Sequence, residues 1–484
     1  MRYFLDPFGC AKNQVDAETI MALLNNAGWT PCTGAEQSDL IIVNSCGFIE
    51  AAKQESINAV LSWKKQYPEK KILLTGCLAQ RYRNELSENL PEADGLLGCE
   101  ELPAAVQAAR ALVENRPFGK SPVHAGESAG SGMAVPPDET AAPGKAVPPG
   151  DRPLLGFPGS AYVKISEGCN NRCSFCAIPL IRGSLRCRSI PDVLEECRRL
   201  LERGVVELCL VGQDLASYAP GLGKLLGALR KLPGRFWVRL LYLHPDRLAV
   251  QPFSVISDIL TIMENDGRFL PYFDIPFQHA SPSILAAMNR HGGDGSYLAL
   301  LRTIRRRLPG AVIRSTLLTG FPGETAADFN LLLDFQAQAR FDWLGVFTYS
   351  REEGTRAYSM KGRVPRGIAL ERKARIEERQ VPITEGRMDA FVGRTMEVLL
   401  EESLGFPGAD RSGSVPGAPG DPPPAAGPSG ELWLGRLYCH APEVDGAALV
   451  RPGPGTDRAR TVKAGGLFPG KITGRAGFDL EVRI

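Results

Sequence analysis

Apolar and polar positions alternate between strand-like and helix-like runs along residues 1–116. Three apolar runs have the length of strands, namely Arg2–Leu5, Leu40–Val43 and Lys71–Thr75. Apolar residues recur at helical spacing from Ile20 to Ala27, and Ala51–Tyr67 forms a second helical stretch. This βαβαβ order predicts an α/β domain built on a parallel sheet.

The same alternation resumes over residues 159–387. Six further runs have the length of strands: Ala161–Ile165, Val206–Val211, Trp237–Leu241, Tyr272–Ile275, Val312–Leu318 and Leu344–Thr348. Helical stretches separate them, and the first, Pro191–Arg203, follows the candidate N-cap Ser189. Six βα-like units predict an incomplete (βα)6 barrel whose chemistry lies at the carboxyl ends of its strands.

The last part of the chain, residues 388–484, predicts a small five-stranded β-barrel. Its β-like runs are Gly393–Glu401, Leu432–His440, Leu449–Arg451, Thr461–Lys463 and Asp479–Ile484. Residues 405–430 are almost all Gly, Pro, Ala and Ser, which predicts a disordered insertion within this barrel. Residues 117–158 are rich in the same types and predict a flexible linker between the first two domains.

Composition narrows the class of protein. A chain of 484 residues can form several domains with sizeable cores. Lys and Arg number 56 against 54 Asp and Glu, so no overall charge indicates nucleic-acid or membrane binding. The sequence has no apolar run of about 18 residues. The 12 cysteines therefore indicate a reducing, cytoplasmic setting in which clustered thiols are metal or redox ligands.

Three cysteines stand at C-x3-C-x2-C spacing directly after a strand-like run: Cys169, Cys173 and Cys176. Iron–sulfur clusters are normally held by four thiolates, so three would leave one iron of a four-iron cluster open. S-adenosylmethionine carries an amino group and a carboxylate that could chelate this iron, and its reduction would release a deoxyadenosyl radical. The alternative is a structural zinc site completed by Cys187.

A second trio, Cys10, Cys46 and Cys77, is spread over the N-terminal domain. Each thiol follows one predicted strand, at separations of 36 and 31 residues that match a βαβ repeat. Parallel strands end at one sheet edge, where open α/β folds bind ligands, so these thiols should converge on a second cluster. The alternative is three unrelated buried cysteines. Cys32 and Cys99 lack this placement and are interpreted as ordinary.

Polar and turn residues follow the predicted strands of the barrel. Gly212, Gln213 and Asp214 are the candidates for contact with S-adenosylmethionine. Other such residues end later strands: His244, Pro245, Gln278, His279, Thr319, Gly320, Tyr349 and Ser350. Each of them could equally be a helix cap or a loop anchor.

The cysteine loop, with Phe175 before its last cysteine, resembles the signature of the radical S-adenosylmethionine superfamily. The sequences G-C-A-K-N-Q-V-D from Gly9, N-S-C from Asn44 and T-G-C-L-A-Q from Thr75 resemble the N-terminal domain of the methylthiotransferase family. That family joins such a domain to a radical barrel and a C-terminal TRAM domain. The resemblance implies a transferase with two 4Fe–4S clusters, one for each cysteine trio. The N-terminal cluster would carry or deliver sulfur, which one S-adenosylmethionine methylates and which is inserted after a second generates the radical.

Four further segments resemble the branch of the family that modifies a ribosomal protein: Tyr242–Pro245, Asp274–His279, Phe347–Thr355 and Gly435–Gly446. This implies β-methylthiolation of an aspartate in small-subunit ribosomal protein twelve, and the alternative is the branch that methylthiolates tRNA adenosine. The implied partners are the ribosomal protein or the ribosome and an electron donor such as flavodoxin, without a membrane, while the sulfur donor stays open. The acidic stretch Ala441–Gly446 is interpreted as a contact for a basic protein.

Overall fold

The structure, a computed structural model, describes residues 1–119, 150–249, 254–405, 431–453 and 462–484. Three folded units follow one another: a parallel sheet, an incomplete parallel barrel and a closed β-barrel. The predicted fold class is therefore confirmed. None of the helices in these ranges combines the length and the apolar character that crossing a bilayer requires.

The N-terminal sheet has five parallel strands in the order β2-β1-β3-β4-β5. The strands are β1 (Arg2–Pro7), β2 (Thr30–Pro31), β3 (Leu40–Ser45), β4 (Lys71–Gly76) and β5 (Gly95–Gly98). The helices are α1 (Ala11–Asn26), α2 (Glu50–Gln66), α3 (Cys77–Arg81), α4 (Arg83–Asn89) and α5 (Ala105–Val113). Every residue of β3 is buried because helices cover both faces of the sheet. The sequence pattern predicts β1, β3 and β4 but neither β2 nor β5.

The central sheet has six parallel strands in sequential order, from β6 at one edge to β13 at the other. They are β6 (Ser160–Lys164), β9 (Glu207–Val211), β10 (Trp237–Leu240), β11 (Phe269–Asp274), β12 (Val312–Thr319) and β13 (Trp343–Thr348). A short antiparallel ribbon, β7 (Ser166–Glu167) and β8 (Arg186–Cys187), flanks the cysteine loop. All six predicted strands are present within a residue or a few of their expected bounds.

Nine helices accompany this sheet in the described part of the chain. They are α6 (Ile178–Ile181), α7 (Ile190–Glu202), α8 (Leu222–Leu229), α9 (Pro245–Ala249), α10 (Ser254–Asn265), α11 (Pro282–Ala287), α12 (Asp294–Arg307), α13 (Ala326–Ala339) and α14 (Arg366–Asp389). The outer face of the sheet, with Val163 and Phe273, packs against these helices. The inner face, with Tyr162 and Tyr272, packs against Leu437 of the C-terminal barrel. The third domain therefore covers part of the interior of the incomplete barrel.

Five strands close the C-terminal barrel in the order β14-β15-β16-β18-β17. They are β14 (Thr395–Gly405), β15 (Leu432–Arg436), β16 (Ala448–Arg451), β17 (Leu467–Ala476) and β18 (Asp479–Arg483). The predicted strand Thr461–Lys463 is wrong, because Val462 and Lys463 are not in a strand and Thr461 lies outside the described residues. The strand that pairs with both β14 and β18 is β17, whose two glycines and proline conceal the strand pattern.

The predicted linker 117–158 and insertion 405–430 lie largely outside the described residues. At one end of the linker, Phe118 pairs with Gly95 at the edge of the N-terminal sheet. At the other end, Arg152 is 5% exposed and forms ion pairs with Glu18 of α1 and Glu196 of α7. Both described ends of this segment are therefore packed onto folded domains, and Arg152 connects two of them.

Candidate functional site

The N-terminal cysteine trio lies at the carboxyl ends of three neighbouring strands. Cys10 precedes the first residue of α1 and follows β1, Cys46 follows β3, and Cys77 follows β4 as the first residue of α3. A Cβ atom at Gly47 would lie 2.8 Å from the carbonyl carbon and oxygen of Cys77. Only glycine permits this close approach of the loops that carry Cys46 and Cys77.

The environment of these thiols is partly desolvated. Burial and the neighbouring thiols Cys77 and Cys10 raise the pKa of Cys46 to about 11, against a backbone hydrogen bond from Phe48. The side chain of Asn13 ties the sheet edge together, because its Nδ2 donates to Ser45 O at 2.9 Å and to Phe8 O at 3.2 Å. Iron binds the thiolate, so loading these sites would release protons.

A fourth thiol, Cys99, lies against Cys77. It directly follows β5, so it occupies the same kind of strand-end position as the trio, and the expectation that it lacks that placement is wrong. Its interpretation as a thiol that binds no cluster stays a prediction. The Cys99 thiol donates to Ile181 O at 3.7 Å. The neighbouring Cys99 thiol and the Arg182 guanidinium lower the pKa of Cys77 against its burial, while the Cys77 thiol and burial raise the pKa of Cys99. The sequence missed this position because β5 has only four residues, two of them glycine.

The second trio lies on the loop between β7 and α6. The Cys169 amide donates to Gly183 O at 3.2 Å, which closes the loop at its base. Asn289 Nδ2 donates to the carbonyl oxygens of Asn171 and Arg172, both at 3.1 Å, and so supports Arg172 in its left-handed conformation (φ 50°). The Ser174 hydroxyl donates to Ala287 O at 2.8 Å. Residues at the end of α11 and just after it therefore hold the loop in place.

Burial and the neighbouring thiol of Cys173 raise the pKa of Cys176 to about 12. The Cys173 sulfur lies 3.7 Å from His244 Nε2 and beside the buried guanidinium of Arg290. Burial and the charge of Arg290 hold the pKa of His244 well below its ordinary value, so this imidazole is neutral. The site thus offers three thiols on one short loop, the cations Arg290 and Arg247 and one neutral imidazole, which suits an anionic iron–sulfur cluster.

The zinc alternative requires a further ligand near the second trio. Cys187, its candidate, lies on β8 opposite Ser166, and its sulfur accepts a hydrogen bond from the Ala219 amide at 3.4 Å. Cys187 is thus engaged with the loop after β9. Across the described ranges, no three His, Cys, Asp or Glu side chains are grouped so that they could hold a metal ion as they stand, and this applies to both trios as well as to Cys187.

The three candidates for contact with S-adenosylmethionine have different surroundings. Asp214 accepts from Asn171 Nδ2 at 2.9 Å and from the amides of Ala216 and His244, so it anchors the cysteine loop. Gln213 Nε2 donates to Glu167 at 3.0 Å, but its Oε1 is buried without a partner. A Cβ at Gly212 would lie 2.5 Å from Ser166 Oγ, so glycine permits a close contact there.

Buried polar atoms without a partner mark the carboxyl ends of the barrel strands. In this part of the described chain they are Ser166 Oγ, Gln213 Oε1, His244 Nδ1, His279 Nε2 and Tyr349 OH. Buried polar groups are normally hydrogen-bonded, so such a set indicates a polar ligand. A cosubstrate with an amino group, a carboxylate and a ribose fits that requirement. Thr319 is different, since its hydroxyl donates to Ala369 O at 3.0 Å and thereby anchors α14.

The first turns of α1 connect the two thiol sites. Asn13 and Asp16 are almost fully buried and contact Arg182, which ends the cysteine stretch of the central domain. Lys12 places Nζ 3.4 Å from the ring centroid of Tyr242, which follows β10. The motif that carries the N-terminal resemblance is therefore also the surface that docks on the barrel.

The sequence pattern assigns no role to several of these residues. Lys12 and Asn13 stand inside the motif that begins at Gly9, Arg182 lies six residues after Cys176, and Asn289 follows α11. Their position beside the cysteines was the available signal. Within the acidic stretch, Asp445 is engaged by the chain itself, because it accepts from Tyr272 OH at 2.5 Å and pairs with Arg314. Glu443 of the same stretch is exposed, so the contact with a basic protein stays a prediction.

Comparison with known proteins agrees with this geometry. Residues 2–98 match the model of the uncharacterized protein family UPF0004, and residues 163–335 match that of the radical SAM superfamily. The ribosomal protein uS12 methylthiotransferase RimO of Treponema denticola is 41% identical over 503 residues, covering 99% of each chain. The RimO proteins of Syntrophomonas wolfei (38% identical, 92% of each chain) and Aquifex aeolicus (36% identical, 98% of this chain and 95% of that one) are also similar.

The fold and the cysteine loop define a radical S-adenosylmethionine enzyme, a class that uses a 4Fe–4S cluster and S-adenosylmethionine. The similarity over nearly the whole length then gives the particular family. The chain belongs to the RimO family of methylthiotransferases and is a transferase.

Proposed function

We propose that this chain converts one aspartate of ribosomal protein uS12 to its β-methylthio derivative and uses two 4Fe–4S clusters to do so. Each cluster would be held by one cysteine trio: Cys10, Cys46 and Cys77, or Cys169, Cys173 and Cys176. The names of the relatives, each a uS12 methylthiotransferase, support the substrate. The two cysteine trios support the proposal of two clusters.

The observation that carries the proposal is the contact between the two thiol sites. Cys77 and Cys99 of the N-terminal domain pack directly on Ala177 and Ile181. These two residues follow Cys176, the last cysteine of the loop between β7 and α6, which we call the radical loop. The carboxyl ends of two separate parallel sheets therefore face each other. A sulfur held at one site and a radical generated at the other would meet in this gap.

When bound, the cluster of the radical loop supplies the electron that cleaves S-adenosylmethionine, and the N-terminal cluster carries or delivers sulfur. The chain's own residues position these groups. Gln213 Oε1 and His244 Nδ1 lack partners and would bind the polar end of the cosubstrate. Gly212 would leave room for it beside Ser166. Asp214 would act by holding the loop, since its oxygens already accept from loop and strand-end donors.

The proposed partners are uS12, free or within the ribosome, and a small one-electron donor such as flavodoxin, and the proposed location is the cytoplasm. Of the acidic stretch, Asp445 is buried against Arg314, whereas Glu443 is exposed. The packing between the two thiol sites supports entry of the target aspartate at the junction of the first two domains. Exposed Leu180, in α6, lies at this junction beside Gly354.

The cofactor claim is tested by anaerobic reconstitution of the full chain followed by iron and sulfide analysis. About eight irons per chain are expected, which is the sum for two four-iron clusters. A Cys10→Ala, Cys46→Ala, Cys77→Ala variant should keep about four irons and should still cleave S-adenosylmethionine without transferring sulfur. About four irons in the unaltered protein, or zinc in place of iron, would contradict the proposal.

The substrate claim is tested in a strain that lacks this gene. Mass spectrometry of its uS12 should show loss of the methylthio increment, and the unaltered gene should restore it. The triple cysteine variant serves as the matched control and should not restore it. An increment lost from tRNA, with uS12 unchanged, would instead identify the tRNA-modifying activity.

A further inference from the structure

Arg182 is a buried cation that extends from the central domain into the N-terminal one. It follows α6, six residues after Cys176, and only 1% of its surface is exposed. Burying a guanidinium in this way requires compensating partners. Three of its four partners belong to the other domain.

Those partners include a proposed cluster ligand. The guanidinium donates to Cys77 Sγ at 3.2 Å and to Asn13 Oδ1 at 2.5 Å. It also forms ion pairs with Asp16 and Glu167, both at 2.9 Å. Ion pairs with the carboxylates would be enough to join the two domains. The hydrogen bond to the Cys77 sulfur is an additional contact that joining the domains does not require.

The carboxylates around Arg182 do not neutralise it alone, because a second cation shares them. Its guanidinium can therefore also compensate the charge of the Cys77 thiolate. Lys164 also pairs with both Asp16 and Glu167, at 2.5 and 2.6 Å. Two cations therefore face two carboxylates in a buried network. The thiolate of Cys77 adds one further negative charge, and Arg182 is the cation that touches it.

Hydrogen bonds to ligating sulfur and nearby charge are two of the factors that set the reduction potential of an iron–sulfur cluster. Both stabilise the reduced form, which carries one more negative charge. We propose that Arg182 is a positioning residue that raises the reduction potential of the cluster held by Cys10, Cys46 and Cys77. The inference rests on the proposed function, because it requires that second cluster.

The consequence concerns domain docking. Arg182 belongs to the central domain, so its hydrogen bond to Cys77 exists only while the N-terminal domain is docked on the barrel. The cluster of the N-terminal domain therefore becomes easier to reduce in the docked arrangement. Separation of the domains removes both the hydrogen bond and the charge.

The test uses full-length protein with Cys169, Cys173 and Cys176 replaced by Ala, so that the one remaining cluster gives the signal. Its midpoint potential is measured by anaerobic redox titration followed by electron paramagnetic resonance. Arg182→Gln should shift the midpoint to a more negative value at unchanged iron content. Arg182→Lys, which keeps the charge but not the planar fork, should shift it less in the same direction.

Two further variants separate this role from a merely structural one. Asp16→Asn keeps the shape but removes a carboxylate that shares the guanidinium, so it should shift the midpoint in the positive direction. Arg186→Gln breaks the exposed ion pair with Glu100 across the same interface (2.8 Å; side chains 52% and 42% exposed) and should leave the midpoint unchanged. If Arg182→Gln fails to hold iron, the sign of the shift in Asp16→Asn decides.

A wild-type midpoint in the iron-loaded Arg182→Gln protein would overturn the inference, as would a negative or absent shift in Asp16→Asn. Both outcomes leave the two-cluster proposal standing. Absence of iron from the background protein is a different result, since it overturns the two-cluster proposal itself and this inference with it.

Discussion

Arg436 of the C-terminal barrel donates to Glu207 at the start of β9, with 2.6 Å between Nη2 and Oε2, and both side chains are buried. Arg239 donates to the other oxygen of Glu207 at 2.8 Å, and Arg436 also donates to Glu401 at 2.6 Å. Burial alone would raise the pKa of Glu207, but the charges of Arg436 and Arg239 lower it to about 2. A buried network of charged side chains thus holds the C-terminal domain on the central, incomplete barrel.

Replacing Arg436 by Met should weaken this attachment strongly. Removal of one partner leaves buried carboxylates uncompensated, which costs about 3–5 kcal/mol. The measurement is anaerobic thermal unfolding of the holoenzyme, combined with limited proteolysis between the second and third domains. Arg475→Gln is the matched control, because it breaks a more exposed pair with Asp389 and should cost less than about 1 kcal/mol. Equal effects of the two variants would contradict the prediction.

Asp445, at the interface of the central and C-terminal domains, should make the stability of the protein depend on pH. Burial raises its pKa to about 6, against the lowering charge of Arg314. The folded state therefore binds the proton more tightly than the unfolded state, and stability rises as the pH falls through about 6. Between pH 8 and pH 5.5 we expect the unfolding free energy of the wild type to rise by about 1 kcal/mol relative to Asp445→Asn. Calorimetry of both holoenzymes at the two pH values checks this. An equal change in unfolding free energy in the wild type and in Asp445→Asn would refute the prediction.

Cys99→Ser and Cys77→Ser should have different effects on iron content, although the two thiols touch. We propose Cys77 as a ligand and Cys99 as its neighbour, so reconstituted Cys99→Ser should keep about eight irons per chain. Cys77→Ser should lose a large part of the N-terminal cluster. Loss of iron from Cys99→Ser to the same extent would show that Cys99 is itself a ligand.

Asn289→Ala should impair the radical loop without unfolding the protein. The variant loses both hydrogen bonds to the carbonyls of Asn171 and Arg172, so the thiols lose their fixed position. Misplacement on the order of 1 Å can cost about 100-fold in rate, and we expect reductive cleavage of S-adenosylmethionine to fall at least about tenfold. Asn265→Ala is the control, because Asn265 is exposed and donates only within α10. An unchanged cleavage rate in Asn289→Ala would rule out the anchoring role.

Gly47→Ala should prevent assembly of the N-terminal cluster. The added methyl group would meet the backbone of Cys77 at 2.8 Å, which separates two of the three thiol-bearing loops. We expect iron to fall from about eight to about four per chain. Gly227→Ala, in α8, meets no atom within 4 Å and should retain the full content. The iron assay would disprove the packing argument if both variants bound the same amount.

Periodicity predicted most of the fold, because β3 and β4 are continuous apolar runs and the barrel strands recur at regular intervals. It could not predict that Asn13 and Asp16 are buried. Polar residues on a helix are ordinarily assigned to the solvent face, and here that face of α1 docks on another domain. The burial of Asp16 depends on its pairing with Arg182, whose partners in the N-terminal domain are more than 100 residues away in sequence.

Two strands that the sequence pattern did not predict, β5 and β17, also depend on contacts that are distant in sequence. β5 is Gly-Leu-Leu-Gly and takes its stability from β4 and α5, so no local pattern marks it, and the significance of Cys99 was lost with it. β17 contains Pro469 and two glycines, yet it closes the barrel by pairing on both sides. In both cases long-range hydrogen bonding overrides weak strand propensity.

The burial of Cys77 has a consequence for ligand exchange at the proposed N-terminal cluster. Cys10 is exposed, whereas Cys77 is 5% exposed beneath Ala177 and Ile181. A cluster held by Cys10, Cys46 and Cys77 would therefore meet solvent on the side of Cys10 and the central domain on the side of Cys77. Ligand exchange at such a cluster would begin at Cys10 and not at Cys77.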